Sequence, residues 1–288
     1  MKHTNILVAG ATGYLGRHLV QVLIEKQNHV VAIARNPNQL KNTNENYLEI
    51  KQAQVTQPET LRDMCKGIDT VISTVGITRQ KDGLTYMDVD YQANMNILNE
   101  AKKSGVNHFV YVSAIHGDRH RDLKIFEAKE RFVDALKASG LSYTIVRPNG
   151  FFSDMKDFLQ MAQSGRVFVF GSGNQLFNPI HGEDVARAMV EHLGTYNTEI
   201  TLGGPDVLSL NEISKLALQS LNKPVKITHL PDCLRRLTIW VLRTFTSVKT
   251  YGPVEFFLTL MANDTVAPPY GKHRLKEYFR QEAHKLIQ

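Results

Sequence analysis

Three glycines, Gly10, Gly13 and Gly16, follow the apolar run Ile6-Leu7-Val8-Ala9 and lead into Arg17. Glycine lets a chain turn sharply and lets an anion approach the backbone closely. A helix beginning at Tyr14 points its first N–H groups and the positive end of its dipole at that anion. Strand, glycine turn and helix in this order hold the pyrophosphate of a dinucleotide. Gly10, Gly13 and Gly16 are expected to cradle the pyrophosphate, and Thr12, Tyr14, Leu15 and Arg17 to complete this part of the cofactor site.

A second chemical signal stands about 20 residues further on, where NAD-selective folds place a carboxylate on the ribose 2′-hydroxyl. Here the apolar stretch 29–34 ends in Arg35, and no Asp or Glu follows until Glu45. A carboxylate would repel a 2′-phosphate, whereas a guanidinium binds it through charge-assisted hydrogen bonds. Arg35, with Arg17 as a second cation, therefore points to NADP(H) as the cofactor.

Short apolar stretches at 5–9, 29–34, 47–50, 70–74, 108–112 and 143–146 alternate with helical patterns at 14–26, 58–66, 87–104 and 122–139. Strands buried on both faces and separated by helices predict an α/β, doubly wound parallel sheet of Rossmann type. After Arg147-Pro148 the rhythm loosens, and helical patterns resume at 182–192 and 209–221. The expected division is a dinucleotide-binding domain over 1–230 and a smaller helical extension on the substrate side over 231–288.

The 288 residues, 42% hydrophobic and 22% charged, suit a globular protein with a full core. Two distant cysteines, Cys65 and Cys233, match no metal-ligand spacing, so no metal and a reducing, cytoplasmic setting are expected. The formal net charge of +6 fits an anionic cofactor, and no nucleic-acid motif accompanies it.

The segments Gly10–Arg17, Thr74-Val75-Gly76, Asp90-Tyr91-Gln92-Ala93-Asn94, Tyr111-Val112-Ser113, 143–148 and 178–186 together resemble an atypical short-chain dehydrogenase/reductase. The resemblance is to the NmrA-like and isoflavone-reductase-like branch, with divinyl-reductase-like proteins and relatives of the 39-kDa subunit of complex I. It implies that Val75, Gly76 and Ile77 lie near the adenine ribose or nicotinamide. Where relatives place an aspartate beside the adenine, this chain has Gln54.

The resemblance also implies a serine that polarises a carbonyl and a tyrosine one helical turn before a lysine. Ser113 and Lys129 match two of these, but the position one turn before Lys129 is Ile125, which transfers no proton. Three readings follow. Lys129, partly desolvated and with its pKa lowered toward 7, acts as general acid. Alternatively the proton comes from the loop 115–120, with His116 as donor. Or no proton moves, and the protein only binds its cofactor. Tyr86 and Tyr91 are the other phenols considered.

Residues 231–248 carry Leu234, Leu237, Val241, Leu242 and Phe245 at helical spacing, with Arg236 and Arg243 opposite, and 254–262 adds further apolar residues. The stretch 231–262 reads either as a cap over the substrate cleft or as a surface for peripheral membrane or protein contact. An apolar surface near the cleft suits a bulky apolar small molecule such as a quinone, an enone or an isoprenoid. The leading expectation is an NADP(H)-dependent oxidoreductase on such an acceptor. The alternative is a non-catalytic NADP(H)-binding redox sensor or assembly factor.

Overall fold

The computed structural model describes residues 4–40, 45–78 and 83–287. In the first half, β1 (Asn5–Ala9), α1 (Tyr14–Glu25), β2 (His29–Ala34), β3 (Leu48–Gln52), β4 (Thr70–Ser73), α2 (Asn94–Lys103), β5 (His108–Val112), α3 (Lys124–Lys137) and β6 (Ser142–Pro148) alternate as the apolar pattern requires. There follow α4 (Lys156–Gln163), β7 (Val167–Phe170), β8 (Leu176–Phe177), α5 (Gly182–Glu191), β9 (Thr198–Leu202), β10 (Leu208–Ser209), α6 (Leu210–Ser220), β11 (Ile227–Leu230), α7 (Asp232–Phe245), α8 (Val248–Leu260) and α9 (Leu275–Ile287). Contacts divide the chain into two compact units, residues 1–147 with 185–200 and residues 148–184 with 201–288.

A seven-stranded sheet runs in the order β3-β2-β1-β4-β5-β6-β9. The pairings from β3 through to β6 are parallel, as runs buried on both faces demand. Strand order reverses at β1, which pairs with β2 on one side and β4 on the other. That switch point is where a doubly wound sheet opens a crevice at its carboxyl edge. The register aligns Ala9 with both Ile33 and Ser73, Ser73 with Tyr111, and Val112 with Val146. The glycine turn, Arg35, Val75-Gly76 and Ser113 thus all leave the sheet at one end, where Arg147 lies near the end of β6.

Two expected helices take other forms. The pattern at 58–66 yields only a short 3₁₀ turn, Pro58–Leu61, because Arg62 is extended and Asp63 is left-handed. The pattern at 87–104 opens with a wide π-helical turn, Met87–Ala93, before α2 begins. The third strand lies slightly later than expected, at Leu48–Gln52.

The second unit pairs β7 with β11 in parallel and β8 with β10 antiparallel. Its core gathers Phe152, Phe158, Val167, Ile213 and Phe279. Ser209 and Glu212 close a capping box at the start of α6. Helix α7 buries none of its side chains.

Candidate functional site

At the end of β1 the glycines are required by close approaches. Gly10 has φ of 82°, and a Cβ there would stand 2.6 Å from the Thr74 hydroxyl. A Cβ on Gly16 would stand 2.1 Å from the Gly10 carbonyl oxygen, so α1 packs on the turn with no room for a methyl. Gly13 caps α1 without a side-chain hydrogen bond, and the first turn carries no acidic residue. A helix N-terminus without a side-chain cap is the kind that suits an anion. Leu15 is buried in the core, while Tyr14 packs edge-on to His18 at 5.3 Å. Arg17 donates from Nε to the Thr12 carbonyl at 2.9 Å, folding its guanidinium back onto the turn. Arg35 is exposed at the end of β2, its carbonyl accepting from Gln52. Gln54 turns to Thr56 instead of outward, its amide donating to that hydroxyl at 3.2 Å.

The loop after β4 is held by two buried residues of the next helical segment. Asn94 accepts from the Ser73 hydroxyl at 2.5 Å and donates to the Val75 carbonyl at 3.2 Å. Asp90, inside the π-helical turn, is fully buried and accepts from the Ile77 N–H at 3.3 Å. Its other oxygen lies 2.9 Å from Lys129 Nζ on α3. A Cβ on Gly76 would stand 2.6 Å from that oxygen and 2.8 Å from the ammonium, so the pair is seated directly against this glycine. Burial alone would lower the Lys129 pKa, but the Asp90 carboxylate outweighs it and holds the ammonium above its usual range. The contact with Asp90 thus moves the Lys129 pKa up, away from neutrality, while burial raises the Asp90 pKa as well.

Ser113 belongs to a different set. Its hydroxyl donates to Glu130 Oε1 at 2.7 Å, and Arg147 clasps Glu130 through two bonds of 2.6 and 2.9 Å. Arg147 also donates from Nε to Glu199 at 2.6 Å. Burial opposes the Arg147 charge, and the two glutamates overcome it, holding the guanidinium above its ordinary pKa. The serine proton thus points at a carboxylate, and Ser113 and Lys129 sit in separate hydrogen-bond networks. Ile125 is buried in the core. Tyr86 donates to the Thr78 carbonyl at 2.8 Å, and Tyr91 packs on the core beneath the sheet. His116 has a left-handed backbone, and burial followed by the Arg119 charge lowers its pKa, favouring the neutral ring.

Four residues of these networks went unassigned at the level of sequence: Asp90, Tyr111, Glu130 and Arg147. The Tyr111 hydroxyl is buried with no hydrogen-bond partner, and Lys129 Nζ lies 5.8 Å from its ring centre. Glu130 interrupts the apolar stripe of Phe126 and Val133, and Arg147 ends an apolar strand. A charge on an apolar face signals a buried partner.

In the second unit, ligand-type atoms of His181, Glu183 and His273 lie within 4.8 Å of one another. His181 Nδ1 accepts from the Glu183 N–H at 3.2 Å, and His273 Nδ1 pairs with Asp184 at 2.8 Å. Asp184 also accepts the Lys272 and His273 N–H groups, so these contacts tie the segment before α9 to the start of α5.

The chain resembles the chloroplastic divinyl chlorophyllide a 8-vinyl-reductase of Arabidopsis thaliana, at 27% identity over 96% of this chain and 76% of the relative. It also resembles the photosystem II assembly factor Ycf39 of Guillardia theta, at 26% identity over 79% of this chain and 73% of the relative. Its fold matches an NADPH-dependent quinone oxidoreductase of Escherichia coli solved with NADPH, with TM-score 0.70 and 17% identity over 98% of this chain and 100% of that one. A family profile described as NAD(P)H-binding matches residues 10–195, a span that holds the glycine cradle, Arg35, Gly76, Asp90, Ser113 and Lys129. By that match and by the reversal of strand order at its glycine turn, the chain belongs to the NAD(P)H-binding Rossmann-fold family.

Proposed function

We propose that the protein is an NADPH-dependent reductase of a bulky, apolar, unsaturated acceptor. The observation that carries this reading is the Lys129 ammonium, held by Asp90 against Gly76 at the sheet edge where α1 leaves its N-terminus uncapped. The uncapped N–H groups suit the pyrophosphate, and Arg35 with Arg17 suits a 2′-phosphate. The dinucleotide supplies a hydride when bound. Lys129, as a fixed cation, binds and orients through its N–H donors; a raised pKa makes it a poor acid near neutrality, so the proton completing the reduction comes from solvent. Ser113, committed to Glu130, fixes the loop after β5. The acceptor class is supported by the names of two similar proteins, a vinyl reductase and a quinone oxidoreductase.

A second reading is favoured by Ile125 at the expected tyrosine position and by the likeness to an assembly factor: the protein binds NADP(H) and performs no chemistry. Calorimetric titration with NADPH, NADP⁺ and NADH, followed by an anaerobic screen of quinones and ring enones, separates the two. Turnover of NADPH that falls about tenfold or more in Lys129→Ala supports the reductase. Tight binding without turnover, with NADPH and NADP⁺ differing about tenfold, supports the sensor. Failure of all three dinucleotides to bind sinks both.

A further inference from the structure

We propose that α7 is an interfacial helix that seats the protein on the surface of an anionic lipid bilayer. Leu237, Trp240 and Phe245 are 52%, 60% and 73% exposed. Leu234 and Val241 are exposed between them. At 100° per residue Trp240, Cys233, Thr244, Leu237, Val241, Leu234 and Phe245 form one outward arc without a charge. The partly covered residues, among them Arg235, Ile239 and Leu242, share the other side of the helix. The apolar stripe that a surface helix normally buries is here the stripe that faces water.

The composition of the border identifies the occupant. Arg236 and Arg243 stand together beyond the Trp240 end of the arc, across the helix from Leu234 and Val241, and Lys249 follows at the start of α8. Within α7 three arginines face a single acid, Asp232, which bridges Arg235 and Arg236. Arg243 pairs with the buried Glu255 of α8, which fixes the helix against its neighbour with the apolar face outward. Leu, Phe and Trp on one side with arginine on the border is the pattern of helices that lie in the headgroup region and are drawn there by anionic lipid. The helix lies on the bilayer and does not cross it: among the described residues no helix is long and apolar enough to span a membrane. The inference is independent of the reductase reading.

Trp240 is the only tryptophan of the chain, so its fluorescence reports on this face alone. The full chain is mixed with vesicles of phosphatidylcholine containing phosphatidylglycerol, and with vesicles of phosphatidylcholine only. The expected result is co-sedimentation with the anionic vesicles, a blue shift of Trp240 emission, and quenching by lipids brominated near the headgroup. Raising salt weakens binding about fivefold or more. Leu237→Ser with Phe245→Ser lowers vesicle affinity about tenfold or more, while the far-ultraviolet dichroism and dinucleotide binding are unchanged. Absence of sedimentation and of any shift overturns the proposal. So does a shift that grows with protein concentration without lipid, which identifies a second copy as the occupant. The quenching measurement uses the unaltered chain and stands even if the double variant misfolds.

Discussion

At the scale of single residues, a short list of charged groups decides what the site can do. Arg35 occupies the place where a carboxylate would select NAD, so Arg35→Asp should shift the NADPH-over-NADH affinity ratio by tenfold or more, about 1.4 kcal/mol. Titration of both dinucleotides checks this, and an unchanged ratio would remove Arg35 from the 2′-phosphate site. Lys129 gives a second test. Because the Asp90 contact raises its pKa above the ordinary lysine value, the ammonium should keep its charge from about pH 6 to pH 9. Dinucleotide affinity should therefore be flat in that window, apart from the titration of the cofactor's own phosphate. A fall in affinity centred near neutrality that disappears in Lys129→Met would contradict the ion pair. Lys129 and Ser113 were both legible in the sequence as candidates. Their partners were not, because Asp90 and Glu130 reach them across 39 and 17 positions of the chain.

At the scale of elements, the strand–turn–helix unit is the most sharply specified part of the molecule. Gly16 lies on a helix yet admits no methyl, because the Gly10 carbonyl fills the space. Gly16→Ala should lower stability by about 1–3 kcal/mol and weaken dinucleotide binding by more than the corresponding Ala substitution at the exposed Gln21. Melting curves and calorimetry on both variants check this, and equal effects would mean that α1 is not seated on the turn. The segment from Met87 shows the opposite case. Its apolar periodicity reads as one helix, but the wider turn at Met87–Ala93 places Asp90 and Asn94 inward, where both bond to the loop after β4. Such turns are common at functional sites. The stretch 58–66 has a helical apolar pattern as well, and a left-handed Asp63 ends it after one turn.

At the scale of the whole molecule, acid should unfold this protein partly through one histidine. His108 on β5 is buried and hydrogen-bonds Thr144 Oγ1 at 2.9 Å, while that hydroxyl donates to the Thr195 carbonyl. The hydroxyl has a single proton, so His108 must be the donor through Nε2. Burial lowers its pKa from 6.5 to about 4. Between those values the unfolded chain binds a proton that the folded chain refuses. Stability from this group is therefore complete above pH 6.5, falls as pH drops toward 4, and levels off below. Denaturant titrations of the natural chain and His108→Gln at pH 7 and near pH 4 should show the variant losing about 2 kcal/mol less, since carboxylate titrations are common to both. Equal losses would place the proton elsewhere.

The sequence by itself determined the alternation of strands and helices, the glycine cradle, Arg35 at the end of β2, and the amphipathic character of α7, since each is written in neighbouring residues or in a short period. The tertiary structure decided the rest. It paired Lys129 with Asp90, a contact that raises the pKa of a residue whose burial alone would lower it. It also directed the Ser113 proton to Glu130, and turned the apolar stripe of α7 toward water. Periodicity tells which side chains share a face, whereas burial, exposure and pKa depend on what packs against that face from distant parts of the chain.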